Sequence, residues 1–423
     1  MNPLSVLVGK AVRRVSRMRG GGSALPGLVV ERLDPGFMAR ALSDLEHGVV
    51  VVSGTNGKTT TTKMVVELLQ GQGLTVFTNR TGSNFTRGVA AALLGEVDWR
   101  GRLRADIAVL ELDEAHAVHF VNLVPPRYAL LLNVLRDQLD RFGEIDTTTR
   151  LLEQIAAKTT DTLILNREDP RVAGIAATAH TASVRYFGLD ASLRSTFPND
   201  DEMRGTVGAT APSSLEADVV LAAVAGNSAD FLIDGTSVHT DLRLRGVYNI
   251  FNAAAALATA RAVVGSTAST DELIASLATV EPAFGRGESL TIDGLPLELV
   301  LVKNPSGFRL GLTSFDPAGC ATMIAINDNY ADGRDMSWLW DVDFASLGLG
   351  GVGMVSGVRA YDMALRLAYD DVTVGAVDPE ISAALKTFIT GATQRPKRIF
   401  CTYTAMLAVR RELSKITTVE VVS

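Results

Sequence analysis

The stretch 48–70, GVVVVSGTNGKTTTTKMVVELLQ, decides the fold. Gly48–Val52 is a short β-branched run of the kind that makes a buried strand. Thr60–Gln70 places Met64, Val65, Leu68 and Leu69 on one side of a helix. Between them lies Ser53-Gly54-Thr55-Asn56-Gly57-Lys58-Thr59-Thr60. In a glycine-rich turn after a strand and before a helix, backbone N–H groups close around phosphate oxygens, and the helix dipole adds attraction. Lys58 supplies positive charge to terminal phosphates, and the Thr59 hydroxyl can ligate Mg²⁺. The loop therefore predicts ATP, with Gly54, Thr55, Asn56, Gly57, Lys58, Thr59 and Thr60 around its phosphates. The strict phosphate-loop pattern has glycine five residues before Gly57; Val52 stands there, so this is a shortened variant.

A nucleotide loop needs a carboxylate for its metal. Glu111-Leu112-Asp113-Glu114 ends a strand candidate, where open α/β sheets put their ligand sites. Strand alternation sends Glu111 and Asp113 to one side and Glu114 to the other, and Glu111 becomes the metal candidate. Further strand candidates are Tyr128–Val134, Thr162–Asn166, Thr322–Ile326, Val352–Ser356, Val372–Val377 and Ile399–Thr402, with helices fitting between most of them. That alternation is the mark of a parallel sheet covered on both faces. The polar stretch Ser192–Ser214 reads as a long loop or an insertion within a domain. Glu281–Leu290 (EPAFGRGESL) precedes a new strand–helix series, which puts a domain junction near Arg286.

Bulk properties narrow the class. The 423 residues suit two or three domains, and 47% hydrophobic with 21% charged residues is ordinary for a globular protein. A net charge of −7 argues against a generic nucleic-acid binder, so no nucleic acid is expected. Two cysteines, Cys320 and Cys401, exclude a disulfide framework and a four-cysteine zinc site. There is no apolar run of membrane-spanning length and no secretory signal pattern, so a cytoplasmic protein is expected. Lys10, Arg13, Arg14, Arg17 and Arg19 form a local basic cluster: a solvated helix face, or a contact with an anionic membrane or a phosphorylated substrate.

GTNGKTT with the ELDE strand end resembles the Mur ligase family, which forms amide bonds by phosphorylating a carboxylate that an amine then attacks. Asn133–Asp146 (NVLRDQLDRFGEID), Asn166–Pro170 (NREDP), Tyr248–Ala255 (YNIFNAAA) and Phe284–Glu288 (FGRGE) are similar to further family segments. Lys303-Asn304-Pro305, Asn327–Phe344 (NDNYADGRDMSWLWDVDF) and Ser356–Ala360 (SGVRA) resemble one branch, the MurT-type synthetase subunits.

The resemblance implies an α/β architecture in three stretches. Residues 1–45 would be a helical lead-in belonging to the central domain. Residues 46–285 would be that central ATP-binding domain, with a parallel-rich sheet. Residues 286–423 would be a Rossmann-like domain contacting a glutaminase. It implies a ligase that amidates the D-glutamate α-carboxylate of the lipid II stem peptide at the inner face of the cell membrane. ATP and Mg²⁺ would be its cofactors, and a separate GatD-type glutaminase subunit its ammonia source. Position by position, Lys58, Thr59 and Thr60 match the phosphate loop, Thr59 and Glu111 the metal ligands, and Asn252 and Arg286 residues at the nucleotide. Asp335 matches an aspartate that completes the partner's Cys–His pair; Asp332 is the second choice for that role.

The residues themselves support a split enzyme. A glutaminase needs a cysteine activated by a histidine, yet Cys320 and Cys401 adjoin β-runs, lack the glycine-flanked turn of a nucleophile elbow and read as core cysteines. No histidine offers an obvious partner. Two departures from the family stand out. No zinc ribbon is possible, with Ser192–Ser214 in about its place, so no zinc is expected. Gln138 stands where amino-acid-adding relatives have histidine, and their modified lysine has no clear counterpart. The competing readings are a folylpolyglutamate-synthase-like or other Mur-type amide ligase, a nucleotide-binding regulator that does not turn ATP over, and a switch-type NTPase. Intact Lys58 and Glu111 argue against the regulator, and Val52 against the switch.

Overall fold

Four consecutive valines can be buried only in a strand covered on both faces, and β1 (Val49–Ser53) has that surrounding, with all five residues buried. The computed structural model describes residues 3–18, 24–79, 84–135, 145–180, 183–197, 214–244, 247–265, 268–281, 286–313, 319–391 and 394–419. They fall into two units. The first comprises Met1–Val134, Asp146–Arg243 and Tyr248–Glu281; the second comprises Leu135–Ile145, Leu244–Val247 and Pro282–Ser423.

The first unit opens with α1 (Pro3–Met18), α2 (Ala24–Leu33) and α3 (Phe37–Leu42). After β1 come α4 (Lys58–Gly71), β2 (Val76–Thr78), α5 (Thr86–Glu96), β3 (Ile107–Glu111), α6 (Glu114–Leu123) and β4 (Tyr128–Leu131). They are followed by α7 (Ile145–Lys158), β5 (Thr162–Asn166), α8 (Pro170–Gly174) and β6 (Ser183–Leu189). Then β7 (Val219–Ala225), β8 (Ser228–Ile233) and β9 (Thr236–Asp241) precede α9 (Val247–Val264) and α10 (Thr270–Thr279). The strand order is β2-β3-β1-β4-β5-β6-β7-β8-β9. Every pair from β2 to β7 is parallel, while β7-β8 and β8-β9 are antiparallel. The sheet is thus parallel-rich rather than wholly parallel, and the antiparallel hairpins are an addition the alternating pattern does not predict. Met64, Val65, Leu68 and Leu69 of α4 are fully buried, as the helical spacing requires. Each contributes on the order of 1.5–3 kcal/mol.

The second unit holds β10 (Arg286–Ile292), β11 (Leu295–Leu301), α11 (Pro305–Thr313), β12 (Ala321–Ala325), β13 (Met354–Ser356), α12 (Ala360–Tyr369), β14 (Val377–Asp378), α13 (Ile381–Gly391), β15 (Lys397–Cys401) and α14 (Tyr403–Leu413). Its order is β10-β11-β15-β12-β13-β14, parallel except for the β10-β11 hairpin. Alternation along β15 sends Phe400 into one hydrophobic cluster and Ile399 and Cys401 into another, so both faces of this sheet are covered. The expected strand Val372–Val377 shrinks to Val377–Asp378, with Val374 making only an isolated bridge to Val352. Cys401 lies in the core as expected, but Cys320 is half-buried, with the Arg398 guanidinium 3.4 Å from its sulfur. No helix among the described residues is long and apolar enough to cross a membrane.

Candidate active site

The strand order reverses its direction of growth at β1: β3 lies on one side and β4 on the other. The crevice beyond the carboxyl ends of such strands is where open α/β sheets bind ligands, and the loop after β1 sits there. Two glycines shape it. Gly54 has φ +128, and a Cβ there would meet the backbone of Asn133 at 3.0 Å. Gly57 has φ +89, and a Cβ would come within 2.8 Å of the Asn252 side-chain amide. Both positions exclude any larger residue. The Asn252 that matches a family motif is thereby placed against the loop, buried near the start of α9.

Asn133, just beyond β4, splints the loop. Its Oδ1 accepts from the Asn56 N–H (2.8 Å), its Nδ2 donates to the Asn56 carbonyl (3.0 Å), and its own carbonyl accepts from the Thr55 N–H (3.0 Å). The preceding carbonyl, that of Leu132, accepts from Asn166 Nδ2. Asp169 ties the next turn down: it accepts from the Val134 N–H (2.7 Å) and caps α8 through the Arg171 and Val172 N–H groups. Burial pushes the Asp169 carboxyl up to about 6, against the opposing pull of those backbone N–H bonds.

Lys58, Thr59 and Thr60 open α4 and are all buried. Glu111 lies directly across from Val52 in the β1–β3 register, which carries its carboxylate to the foot of the loop. Thr59 Oγ1 donates to Glu111 Oε1 at 2.8 Å. Asn79 fixes the Glu111 backbone on both sides, accepting from its N–H (2.9 Å) and donating to its carbonyl (2.8 Å). The pair suits Mg²⁺. Both atoms are hard oxygens, and 2.8 Å is close to the roughly 3.0 Å edge of an octahedron with metal–oxygen bonds near 2.1 Å. Among the described residues, the buried Thr60 hydroxyl has no hydrogen-bond partner.

Strand alternation misleads at one point. β3 stops at Glu111, and Asp113 becomes the residue before α6 while Glu114 is its first residue. The side-chain period therefore changes from 2 to 3.6 between them. The result departs from the expectation: Glu114 turns to the loop on the side of Glu111, its Oε1 3.3 Å from Lys58 Nζ in a buried ion pair. Lys58 Nζ also donates to the Gly54 and Thr55 carbonyls. Its ammonium is thus held inside the loop, and Glu114 is a site residue that sequence reasoning assigned to the opposite side.

The second unit carries the remaining candidates. Arg286 opens β10 opposite Val300, and its side chain lies outside the described residues. So does Gln138. Asp332 is buried and spoken for: it accepts from the Thr404 N–H (2.7 Å), the Thr404 hydroxyl and the Asn329 N–H (3.1 Å). It thereby caps the start of α14, where a negative charge is favoured. Asp335 is half-exposed. Its hydrogen bonds with Ser337, from the side chain and from the backbone N–H (2.9 Å), hold its carboxyl below the usual carboxylate range. Immediately after it, Trp338, Leu339, Val342 and Phe344 plug the core. Arg366 secures the same segment by donating to the Leu339 (3.3 Å) and Val342 (2.6 Å) carbonyls. Asp335 thus stands on a rigid base. Around that base lie large exposed side chains: Tyr361, Leu365 and Tyr369 on one face of α12, and Trp340 edge-on to Tyr369 at 5.0 Å. Burial pushes the Cys401 thiol far up, so it is no nucleophile.

The Mur ligase middle domain matches residues 52–260 and the MurT ligase C-terminal domain matches residues 301–406. A relative from Streptococcus pneumoniae (strain ATCC BAA-255 / R6), lipid II isoglutaminyl synthase (glutamine-hydrolyzing) subunit MurT, is 30% identical over 97% of this chain and 96% of its own length. Among solved structures, MurF from Acinetobacter baumannii superposes with a TM-score of 0.70 at 20% identity, covering 92% of this chain and 80% of that one. MurF ligase from Thermotoga maritima in complex with ADP gives a TM-score of 0.67 at 17% identity, covering 90% and 84%. At these identities the superpositions speak for the fold.

Proposed function

The chain belongs to the MurT family of Mur ligases, and from that premise we propose that it amidates the D-glutamate α-carboxylate of the lipid II stem peptide at the inner face of the membrane. ATP supplies the energy, and a GatD-type glutaminase subunit supplies the ammonia. The observation that carries this reading is the loop after β1, where Lys58, Thr59, Thr60 and Glu111 converge at the carboxyl ends of β1 and β3. The Thermotoga MurF with ADP, which shares the fold, supports a nucleotide there.

A substrate carboxylate oxygen attacks the γ-phosphorus of ATP. The bond to the β–γ bridging oxygen breaks and ADP departs. Lys58 offers its ammonium to the charge that develops on the transferring group, exchanging the Glu114 and carbonyl contacts for phosphate oxygens. Thr59 and Glu111 would hold Mg²⁺, which when bound neutralises phosphate charge. Thr60 has a hydroxyl to give a phosphate oxygen. Ammonia then attacks the acyl carbon, the C–N bond forms, the C–O bond to phosphorus breaks, and phosphate leaves with loss of one proton. Asp335 is ionised at neutral pH and can orient and stabilise the imidazolium of the glutaminase. The exposed aromatic face beside it suits a protein partner, since such rings dominate interfaces. A folylpolyglutamate-synthase-like ligase would share the loop but leave Asp335 and that face without a role.

The test supplies lipid II, ATP and glutamine to the chain together with its glutaminase. Mass spectrometry should show OH replaced by NH₂ on the stem peptide. Unchanged lipid II from a folded complex would refute the proposal.

A further inference from the structure

α1 wears its apolar residues on the side that faces water. Ser5, Val6, Gly9 and Ser16 are buried, whereas Leu7 (54% exposed), Val8, Ala11 and Val15 (49%) lie outward together with Arg14. Residues 7, 11, 14 and 15 share one face of a helix, and a surface helix of a soluble protein has the reverse arrangement. The inner face explains why. A Cβ on Gly9 would come within 2.4 Å of Val30 and 2.8 Å of Leu94, and Ser5 Oγ donates to Asp34 at 3.1 Å. Small residues are selected for close approach to α2 and α5, and the larger apolar ones are left outside. The 5-to-34 and 9-to-30 contacts make α1 and α2 antiparallel, and α2 adds exposed Leu25 and Leu33.

A second element joins this layer. Lys10 Nζ donates to the Val97 carbonyl at 2.6 Å, and the Arg13 guanidinium lies beside Gly95. These contacts bring the turn Asp98-Trp99-Arg100-Gly101-Arg102 against α1. Trp99 is 61% exposed, and the Arg100 guanidinium stacks on it at 4.5 Å. Asp98 is occupied within the turn, accepting from the Arg100 and Arg102 N–H groups. Residues 1–20 hold five cationic side chains and no acidic one in a chain whose net charge is −7.

We propose that the outward face of α1, with Leu25, Leu33 and Trp99, seats in the headgroup layer of an anionic phospholipid bilayer. An amphipathic helix with cations lies in that plane, tryptophan concentrates at that depth, and each cation near an anionic leaflet strengthens binding roughly fivefold. Charge decides between occupants. A local excess of cations matches a laterally averaged anionic surface, whereas a protein partner would have to place individual acids opposite Arg14 and Arg100; Arg102 already pairs with Asp98. This surface uses none of the residues of the phosphate loop, and the inference stands on the helix face rather than on the reaction.

The experiment is sedimentation of the full chain with phosphatidylcholine/phosphatidylglycerol vesicles, against pure phosphatidylcholine vesicles, with no lipid II present. Its failure is therefore distinct from a failure of amidation. Binding is expected to the anionic vesicles and to weaken with salt. Arg14→Gln and Arg100→Gln should each weaken it roughly fivefold, and Leu7→Ser/Val15→Ser roughly tenfold or more. Trp99→Ala should weaken it with the circular dichroism and melting temperature unchanged. Absence of binding, equal binding to neutral vesicles, or insensitivity to all these substitutions overturns the proposal. So does a concentration-dependent dimer, formed without vesicles, that Leu7→Ser/Val15→Ser abolishes.

Discussion

Glu111 and Glu114 at the phosphate loop and Asp335 in the 327–344 segment stand in opposite settings. Glu111 and Glu114 are buried, and each already has a partner in this chain: the Thr59 hydroxyl for one, the Lys58 ammonium for the other. Asp335 is half-exposed, and its hydrogen bonds come from one nearby residue, Ser337. Its neighbour Asp332 is as enclosed as Glu111, with Thr404 and Asn329 around it. The contrast shows two ways of preparing a charge. A site for a small ligand is preorganised by groups the ligand can displace. On the proposed assignment, a residue that serves another protein is held from behind and presented to solvent.

Substitutions can break this contrast. Lys58→Ala should reduce amidation by roughly a thousandfold, from glutamine and from free ammonia alike, because it removes a preorganised charge from the phosphoryl step. Survival of the ammonia-driven reaction would remove Lys58 from that step. Asp169 sharpens the difference in burial. Its folded pKa of about 6 lies above the unfolded value, so the folded state keeps the proton to higher pH. Its contribution to stability is complete below pH about 4 and lost as pH rises through about 6, a change of about 3 kcal/mol. Urea midpoints across that range should show the decline in the wild type and not in Asp169→Asn. Asp335, whose pKa moves the other way, should show no such decline. Glu111→Gln keeps a hydrogen-bonding oxygen for Thr59 but loses the charge, so half-saturating Mg²⁺ should rise roughly tenfold to a hundredfold. An unchanged Mg²⁺ titration would mean that the pair holds no metal. The smallest effect separates the two aspartates: Asp332→Asn should lower stability by about 1–3 kcal/mol, and Asp335→Asn by under about 1 kcal/mol.

Much of the first site was legible because its signals are local. A valine run, a glycine turn and a GKTT helix start are contiguous, and Glu111 ends the next such strand. Glu114 was not legible, because its direction depends on where β3 gives way to α6, and a shift of one or two residues reverses it. Asn79 and Asn133 act across 32 and 77 residues, and nothing near them in sequence marks that reach. The antiparallel hairpins did leave a signal that went unread. Asp234-Gly235 and Asp293-Gly294 both have positive φ at each position, the two-residue turn that joins antiparallel strands. In the second unit, strand positions were legible from apolar runs, but Val372–Val377 was overread: that run contains Thr373 and Gly375 and only its end pairs as a strand. Asp335 was reached through family resemblance alone, since an aspartate in DGRD is indistinguishable by local chemistry from the capping Asp332 three residues earlier in the same motif.

The division of labour between the two regions is tested most directly by Asp335→Asn in the complex with the glutaminase, assayed with glutamine and, separately, with ammonium salt. Glutamine-driven amidation of lipid II should be lost while ammonia-driven amidation continues at the wild-type rate. Equal loss of both, or retention of both, would contradict the assignment of Asp335 to the partner's chemistry.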